Sequence, residues 1–373
     1  MTTLAVAGLA LAACSGGATD DDSGPGERPE AGDEDASGDP AGGAGDAPAM
    51  SLTELVGGLP TPRSERLVVH AADLAAASAT AGLEYPPTDG RQWAMDLTTA
   101  TQQTGVFVPL PGGFLRELQA GVDPELGWTL PDTRGFAHVS APPEETLLVV
   151  GVGEEDLAET VGPFEAGILT TAGPAGDHET DLTATTPLRQ VGAPLRLVPR
   201  DDATLVTTST AAARGFVDGD GATLAGHGAV MAAVTALEGA VTASVLSPPM
   251  TADAVLGPVL DPERLSELDD LPLVTAPPLA VALGTVATDD GVRLLAAYVF
   301  GNGATAEEQE EHVGRVWQEG TLDGRRPLTE LVRLEEVSRD GATVVATLAP
   351  VEGVAAQHLD PTNQRGALPF TSW

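Results

Sequence analysis

The chain has 373 residues, with 55 acidic side chains against 18 basic ones, a net charge of −37, one cysteine and 42% hydrophobic residues. All 18 basic residues are Arg. So acidic a chain excludes nucleic acid as a partner, because gripping phosphates takes clustered Lys and Arg, and a single cysteine excludes an internal disulfide framework.

Leu4 to Ala13 reads LAVAGLALAA, an uncharged apolar run. It has the length of a signal-peptide core and is far short of the roughly 20 residues a spanning helix needs. The run ends Leu11-Ala12-Ala13-Cys14, followed by Ser15-Gly16-Gly17, which resembles the bacterial lipobox. In that pattern small residues precede the cysteine whose thiolate accepts a diacylglyceryl group, and the cysteine becomes the first residue of the mature protein. Met1-Thr2-Thr3 departs from the pattern, since it lacks the usual positive charge. The resemblance implies lipidation at Cys14, attachment to the cell membrane through that group, and a location on its extracytoplasmic face. From Ser15 to Met50 there are ten acidic residues and one Arg among Gly, Ala, Pro and Ser. Such a stretch has little to bury and is expected to be a disordered, self-repelling tether.

Folded texture begins at Ser51. Thr53 to Gly58 is expected to be a short helix, Arg66 to His70 a strand, and Asp73 the cap of an Ala-rich helix to Ala81. Gln92 to Gln103 and Gly112 to Gln119 read as helices. Thr146 to Val152 is a buried-type strand, and Leu157, Val161 and Phe164 are spaced to place a helix over Glu155 to Ala166. Leu195 to Val198 and Thr204 to Thr208 flank a turn and predict a hairpin. The order recurs: Arg293 to Phe300 as a strand, Ala306 to Glu319 as a helix, then Glu330 to Val337 and Thr343 to Leu348 around Asp340-Gly341, a strong tight-turn signal.

The two hairpins match in detail. Arg200-Asp201-Asp202-Ala203-Thr204-Leu205-Val206-Thr207-Thr208 aligns with Arg339-Asp340-Gly341-Ala342-Thr343-Val344-Val345-Ala346-Thr347, with six of nine positions identical. The expected fold class is α+β, with two similar strand–helix–β-hairpin units, mostly antiparallel sheets and helices packed on one face. Val139-Ser140-Ala141-Pro142-Pro143 and Val274-Thr275-Ala276-Pro277-Pro278 offer a second, competing register. The expected division is 1–13 as signal peptide, 14–50 as tether, 51–217 and 218–358 as the two units, and 359–373 as a C-terminal tail.

Candidate chemistry is thin. Gly151-Val152-Gly153 precedes Glu154-Glu155-Asp156, whose carboxylates would repel a pyrophosphate. Gly301-Asn302-Gly303-Ala304-Thr305-Ala306 fits a dinucleotide turn better. There, however, Thr305 with Glu308 is expected to form a capping box, and a hairpin follows instead of a parallel strand. Both turns therefore read as structural junctions. The six histidines are scattered. Asp177-His178-Glu179 and the Glu308/His312 pair each offer two metal contacts, too few for a site. Asp218, Asp220 and Gly221 begin like a calcium loop, but Ala229 stands where a bidentate Glu belongs. No nucleophile elbow, Walker loop or Cys/His arrangement occurs. Trp93, Trp128 and Trp317 lie in apolar contexts that suit core packing. No catalytic, cofactor-binding or metal-binding residue is therefore assigned.

Gly127-Trp128-Thr129-Leu130-Pro131-Asp132 through Phe136-Ala137, the Asp340-Gly341-Ala342-Thr343-Val344-Val345 hairpin and the lipobox together give a recognisable texture. It resembles uncharacterised lipoproteins of high-GC actinobacteria, a group with no assigned activity and so no catalytic residues to carry over. The expected function is that of a lipid-anchored extracytoplasmic lipoprotein, non-enzymatic, acting as a binding or envelope-scaffold protein for an envelope protein or small ligand. A solute-binding lipoprotein associated with transport and an envelope enzyme of unrecognised type are the alternatives. The tether accounts for −9 of the charge, which leaves −28 on the rest. A domain so dense in carboxylates is expected to be salt-adapted.

Overall fold

The computed structural model describes residues 50–249, 274–322, 326–353, 356–362 and 368–370. Polar side chains start most of the helices. Ser51 accepts a hydrogen bond from the Glu54 amide at 3.3 Å and opens α1 (Leu52–Gly57). Asp73 ends β1 (Leu67–Asp73) and caps α2 (Leu74–Thr80), taking the Ala76 amide at 2.9 Å. Asp89 caps α3 (Gly90–Thr104), which stops at Gly105 in the left-handed region (φ 78°). There a Cβ would lie 2.5 Å from Pro350, so only glycine fits. A fourth helix, α4 (Gly112–Ala120), starts at Pro111 without a side-chain cap.

The remaining elements, in order, are β2 (Gly135–Ala141), β3 (Glu144–Val150), β4 (Gly162–Glu165), β5 (Ile168–Thr170), β6 (Arg196–Arg200), β7 (Ala203–Thr207), α5 (Thr210–Asp218), α6 (Gly228–Thr235) and β8 (Ala240–Ser247). Then come β9 (Ala280–Thr288), β10 (Gly291–Val299), α7 (Gly303–Glu319), the short pair β11 (Thr321–Leu322) and β12 (Arg326–Pro327), β13 (Val332–Asp340) and β14 (Thr343–Pro350). Twelve strands form one sheet in the order β13-β14-β10-β9-β8-β1-β2-β3-β7-β6-β5-β4. Every described strand pair is antiparallel. The protein is thus α+β, built on a single large antiparallel sheet.

The sheet is buried on both sides. Alternation along β1 sends Leu67, Val69 and Ala71 to one face, where α1, α5 and α6 close a core with Leu148, Leu205, Val245 and Ala282. The other face carries two cores. One gathers Trp93, Phe114, Trp128, Leu147 and Val206 beneath α2, α3 and α4, and the other gathers Tyr298, Trp317, Leu348 and Phe370 beneath α7. The expectation of helices on one face is therefore corrected, because strands with buried residues on both sides need cover on both. Trp93, Trp128 and Trp317 are core residues, each 3% exposed or less.

Two local expectations fail. Glu155 to Ala166 is not a helix: a single 3-10 turn (Glu154–Asp156) leads into β4, and Gly167 turns the chain into β5. Pro163 has no amide to give and would clash with the carbonyl one turn back, which outweighs the apolar spacing. Phe164 instead lies under the Arg196 guanidinium, 4.0 Å from its ring centre. At α7 the cap is Asn302, which takes the Thr305 amide at 2.9 Å, so Thr305 and Glu308 do not form the expected capping box.

The sequence on either side of residue 218 occupies opposite halves of the sheet. Strands β1 to β7 lie on one side of the β1·β8 junction and β8, β9, β10, β13 and β14 on the other, β11 and β12 forming a separate two-stranded sheet, and residues Pro48–Trp373 cluster as one compact unit. Val139–Pro143 ends β2 and turns into β3, whereas Val274–Pro278 precedes β9, so those matching pentapeptides sit at different places in the topology. The 359–373 segment is partly described. Its Phe370 is 1% exposed, stacks on Tyr298 at 5.6 Å and packs against Trp317.

Candidate functional site: a cavity on the two-core face

Between the two cores, the same face of the sheet holds a cavity of about 520 Å³. Its floor is β1, β2, β3 and β7; its walls are the start of α4, the stretch from Leu188 to Leu195, and Thr362. The lining is mixed. Val68, Phe114, Leu147, Leu188, Leu195 and Val206 supply apolar surface, and His70, His138, Ser140, Glu145, Thr208 and Thr362 supply polar groups. A concave, largely apolar site with a few convergent polar groups is the usual form of a small-molecule pocket.

Strand register builds the polar row. His70 on β1 stands directly opposite His138 on β2 and Ser244 on β8, and Ser140 stands opposite Glu145 on β3. The two imidazoles are 6.1 Å apart between ring centres. His138 donates from Nε2 to Glu145 Oε2 at 2.9 Å, and Ser140 Oγ donates to Glu145 Oε1 at 2.7 Å. His70 Nε2 lies 3.1 Å from Thr362 Oγ1. Ser244 Oγ donates to Asp360 Oδ1 at 2.6 Å, and the Thr362 amide donates to the same oxygen at 2.9 Å. The row thus pins the C-terminal segment across the sheet, and Thr362 becomes part of the cavity wall.

Burial pushes the His70 imidazole down to about 4, partly countered by Asp360. His70 is therefore neutral over the physiological range. The Nδ1 atoms of both His70 and His138 are buried without a hydrogen-bond partner.

The opposite wall is held by a second polar cluster. Arg189 pairs with Glu125, and the Glu125 amide donates to Glu117 Oε1 at 2.9 Å. These contacts tie the 187–192 stretch to α4. Glu117 is 1% exposed, its Oε2 has no partner, and burial raises its carboxyl to about 7, with the Glu125 amide opposing. One residue earlier, Arg116 lies exposed at the cavity rim, where its Nε donates to the Pro187 carbonyl at 3.4 Å. It has no carboxylate partner among the described residues.

The lipobox residues Leu11, Ala12, Ala13 and Cys14 lie outside the described residues. Asp177 is occupied by Arg196, at 3.4 Å, and by Thr210, so the Asp177-His178-Glu179 run is a structural loop. Among the described residues no group of three or more His, Cys, Asp or Glu is placed to hold a metal. Gly151 and Gly303 each sit where the chain leaves the sheet against a hairpin turn. The Gly151 amide donates to the Asp202 carbonyl, and a Cβ on Gly303 would lie 3.2 Å from the Gly341 carbonyl. Both glycine-rich turns thus lie at equivalent places, each against the turn of a following hairpin. Sequence reasoning missed the cavity itself, since His70 and His138 appear there only as scattered histidines.

No protein-family model matches the chain, and no curated protein matches it. Among solved structures, crystal form I of TP0453 is similar with a TM-score of 0.37 and 9% identity, over 81% of this chain and 95% of that one. A likeness of that size carries no argument about function.

Proposed function

We propose that the protein is a lipid-anchored extracytoplasmic lipoprotein whose folded part is a non-enzymatic, small-molecule-binding module. The observation that carries the binding reading is the 520 Å³ cavity with its polar row. The anchor rests on the lipobox at Leu11 to Cys14. Membership among the actinobacterial lipoproteins is part of the same proposal and rests on the sequence texture. A two-lobed transport receptor is disfavoured, because such receptors are built from parallel βαβ lobes and all described strand pairs here are antiparallel.

One observation favours an enzyme as the second reading: the cavity gathers a perturbed histidine, His70, with Glu145 and Asp360 nearby. The arrangement is poor for acid–base chemistry. A base at about 4 takes protons weakly near neutrality. The Ser140 hydroxyl faces Glu145, and His70 Nδ1 has no orienting carboxylate.

A thermal-shift screen of the unlipidated Cys14→Ser protein against a solute library tests the binding reading. At least one solute is expected to stabilise the protein, and Val206→Trp, which fills the cavity, is expected to abolish its effect. No stabilising solute, or one whose effect survives Val206→Trp, overturns it. Turnover of a solute would instead establish the enzyme. For the anchor, Cys14→Ser is expected to move the protein from the membrane fraction to the supernatant.

We also infer that the sheet arose by duplication. A shift of 150 positions takes Gly151 to Gly301 and Thr146 to Ala296, and a shift of 139 takes Thr207 to Ala346. Under those shifts the pairs Thr146↔Thr207 and Val149↔Thr204 become Ala296↔Ala346 and Val299↔Thr343, which are the observed partners in β10·β14. The strand orders β1-β2-β3-β7-β6 and β8-β9-β10-β14-β13 also correspond. The intervening segments differ: β4 and β5 occupy one half where α7 occupies the other.

A further inference from the structure

We infer that the cavity takes a small dipolar amphiphile, with an anionic group at Arg116, a protonated amine at Glu145, and an apolar body between them. The inference rests on reading the cavity as a ligand pocket and adds to it the chemical class of the occupant.

Three observations converge on that class. The first is the Glu145 end. Its carboxylate accepts from Ser140 and His138, which uses two of roughly four lone-pair positions. The side chain is still 43% exposed, so it presents a net acceptor to the cavity. Beside it, His70 is neutral and a second carboxylate, Asp360, is held by Ser244 and the Thr362 amide. This end favours a donor, and best a cationic one. The second is the Arg116 end. Its guanidinium stands at the rim without a carboxylate partner in a protein that has 55 acidic residues against 18 basic ones. Its Nε meets the Pro187 carbonyl at 3.4 Å, and its three nitrogens lie 2.5–2.9 Å from the Gln190 amide oxygen, a neutral acceptor that leaves the positive charge unmatched and that an anion would displace. The third is the middle. Phe114, Leu147, Leu188, Leu195 and Val206 line it, and an apolar body there would gain about 25 cal/mol per Å² removed from water.

A single anion would meet Arg116 and be repelled by Glu145. A single cation would meet Glu145 and leave Arg116 unmatched. Only a molecule with both groups satisfies both ends, and the apolar middle sets the separation between them.

The test is calorimetry on the Cys14→Ser protein with three matched series: 6-aminohexanoate, 8-aminooctanoate and 11-aminoundecanoate, the alkanoates of the same lengths, and the alkylamines. One ω-amino acid is expected to bind at least tenfold more tightly than its matched alkanoate and alkylamine. Arg116→Gln should erase its advantage over the amine, and Glu145→Gln its advantage over the alkanoate, with Val206→Trp removing all binding. Arg116 is exposed on the rim, so its replacement tests the proposal even where Glu145→Gln disturbs the polar row. Equal binding of zwitterion, alkanoate, alkylamine and an uncharged alkanol, all lost in Val206→Trp, would overturn the dipolar assignment and leave the pocket standing. Absence of binding by every series, together with no stabilising solute in the library screen, would overturn both.

Discussion

Replacing Glu117 with Gln should make the protein more stable at alkaline pH and leave it unchanged in acid. Burial raises the Glu117 carboxyl from 4.5 to about 7, so the folded protein holds a proton there that the unfolded chain has released. In that window the folded state binds more protons, so stability falls as pH rises from 4.5 to 7 and the loss is complete above 7. At about 1.4 kcal/mol per pH unit the ceiling is about 3 kcal/mol. Discounted for solvent screening, this leaves about 2 kcal/mol. Gln keeps an acceptor for the Glu125 amide and cannot ionise. Urea denaturation of the Cys14→Ser protein and its Glu117→Gln variant, from pH 4 to 8, measures the difference directly. The curves should coincide at pH 4 and separate progressively, with the variant ahead above pH 7. A separation that does not depend on pH would show that Glu117 ionises normally, and the reasoning from its burial would fall.

His70 should act with the opposite sign. Its pKa drops from 6.5 to about 4, so stability is lost as pH falls through that window, with a ceiling of about 3 kcal/mol. Asp360, His138 and Glu145 face it; His70→Gln should flatten the acid limb of the urea series, and an unchanged limb would refute the assignment. Gly105→Ala should cost about 2–4 kcal/mol, combining a left-handed backbone with a Cβ 2.5 Å from Pro350; a shift in urea midpoint below a third of that would mean the helix end moves freely. Finally, raising NaCl from 0.05 to 1 M shortens the Debye length to about 3 Å. It should raise the melting temperature of a chain carrying −37, and a salt-independent melting temperature would end the salt-adaptation reading.

Sequence made the local devices readable. Asp73 before an Ala-rich run, the Asp-Gly turn at Asp340-Gly341, and Val313, Val316 and Trp317 at helical spacing each declare themselves within one or two turns of chain. Strands β8 and β9 escaped notice because AVTASVLS and AVALGTVAT are small-residue runs without alternation, a pattern that suits burial on both faces. Spacing alone misled at Leu157, Val161 and Phe164, where Pro163 decides. The cavity was not legible at all. His70 and His138 become neighbours only through the register of β1·β2, and Arg116 reaches the rim through a helix that is set by tertiary contacts. Local chemistry is written in neighbouring residues, whereas the site depends on which strands meet.

The contact between His70 and Thr362 spans 292 positions, and Ser244 to Asp360 spans 116. Closing loops of that size costs entropy that is recovered only once most of the sheet exists. The cavity wall at Thr362 should therefore assemble after the folding transition state. Loosening it by Thr362→Val would then speed unfolding and leave the refolding rate nearly untouched. Occupancy of the cavity would act on the same limb: a bound molecule would extend the lifetime of the folded state without hastening its formation. The protein's persistence would in that case be set by its ligand supply as much as by its sheet.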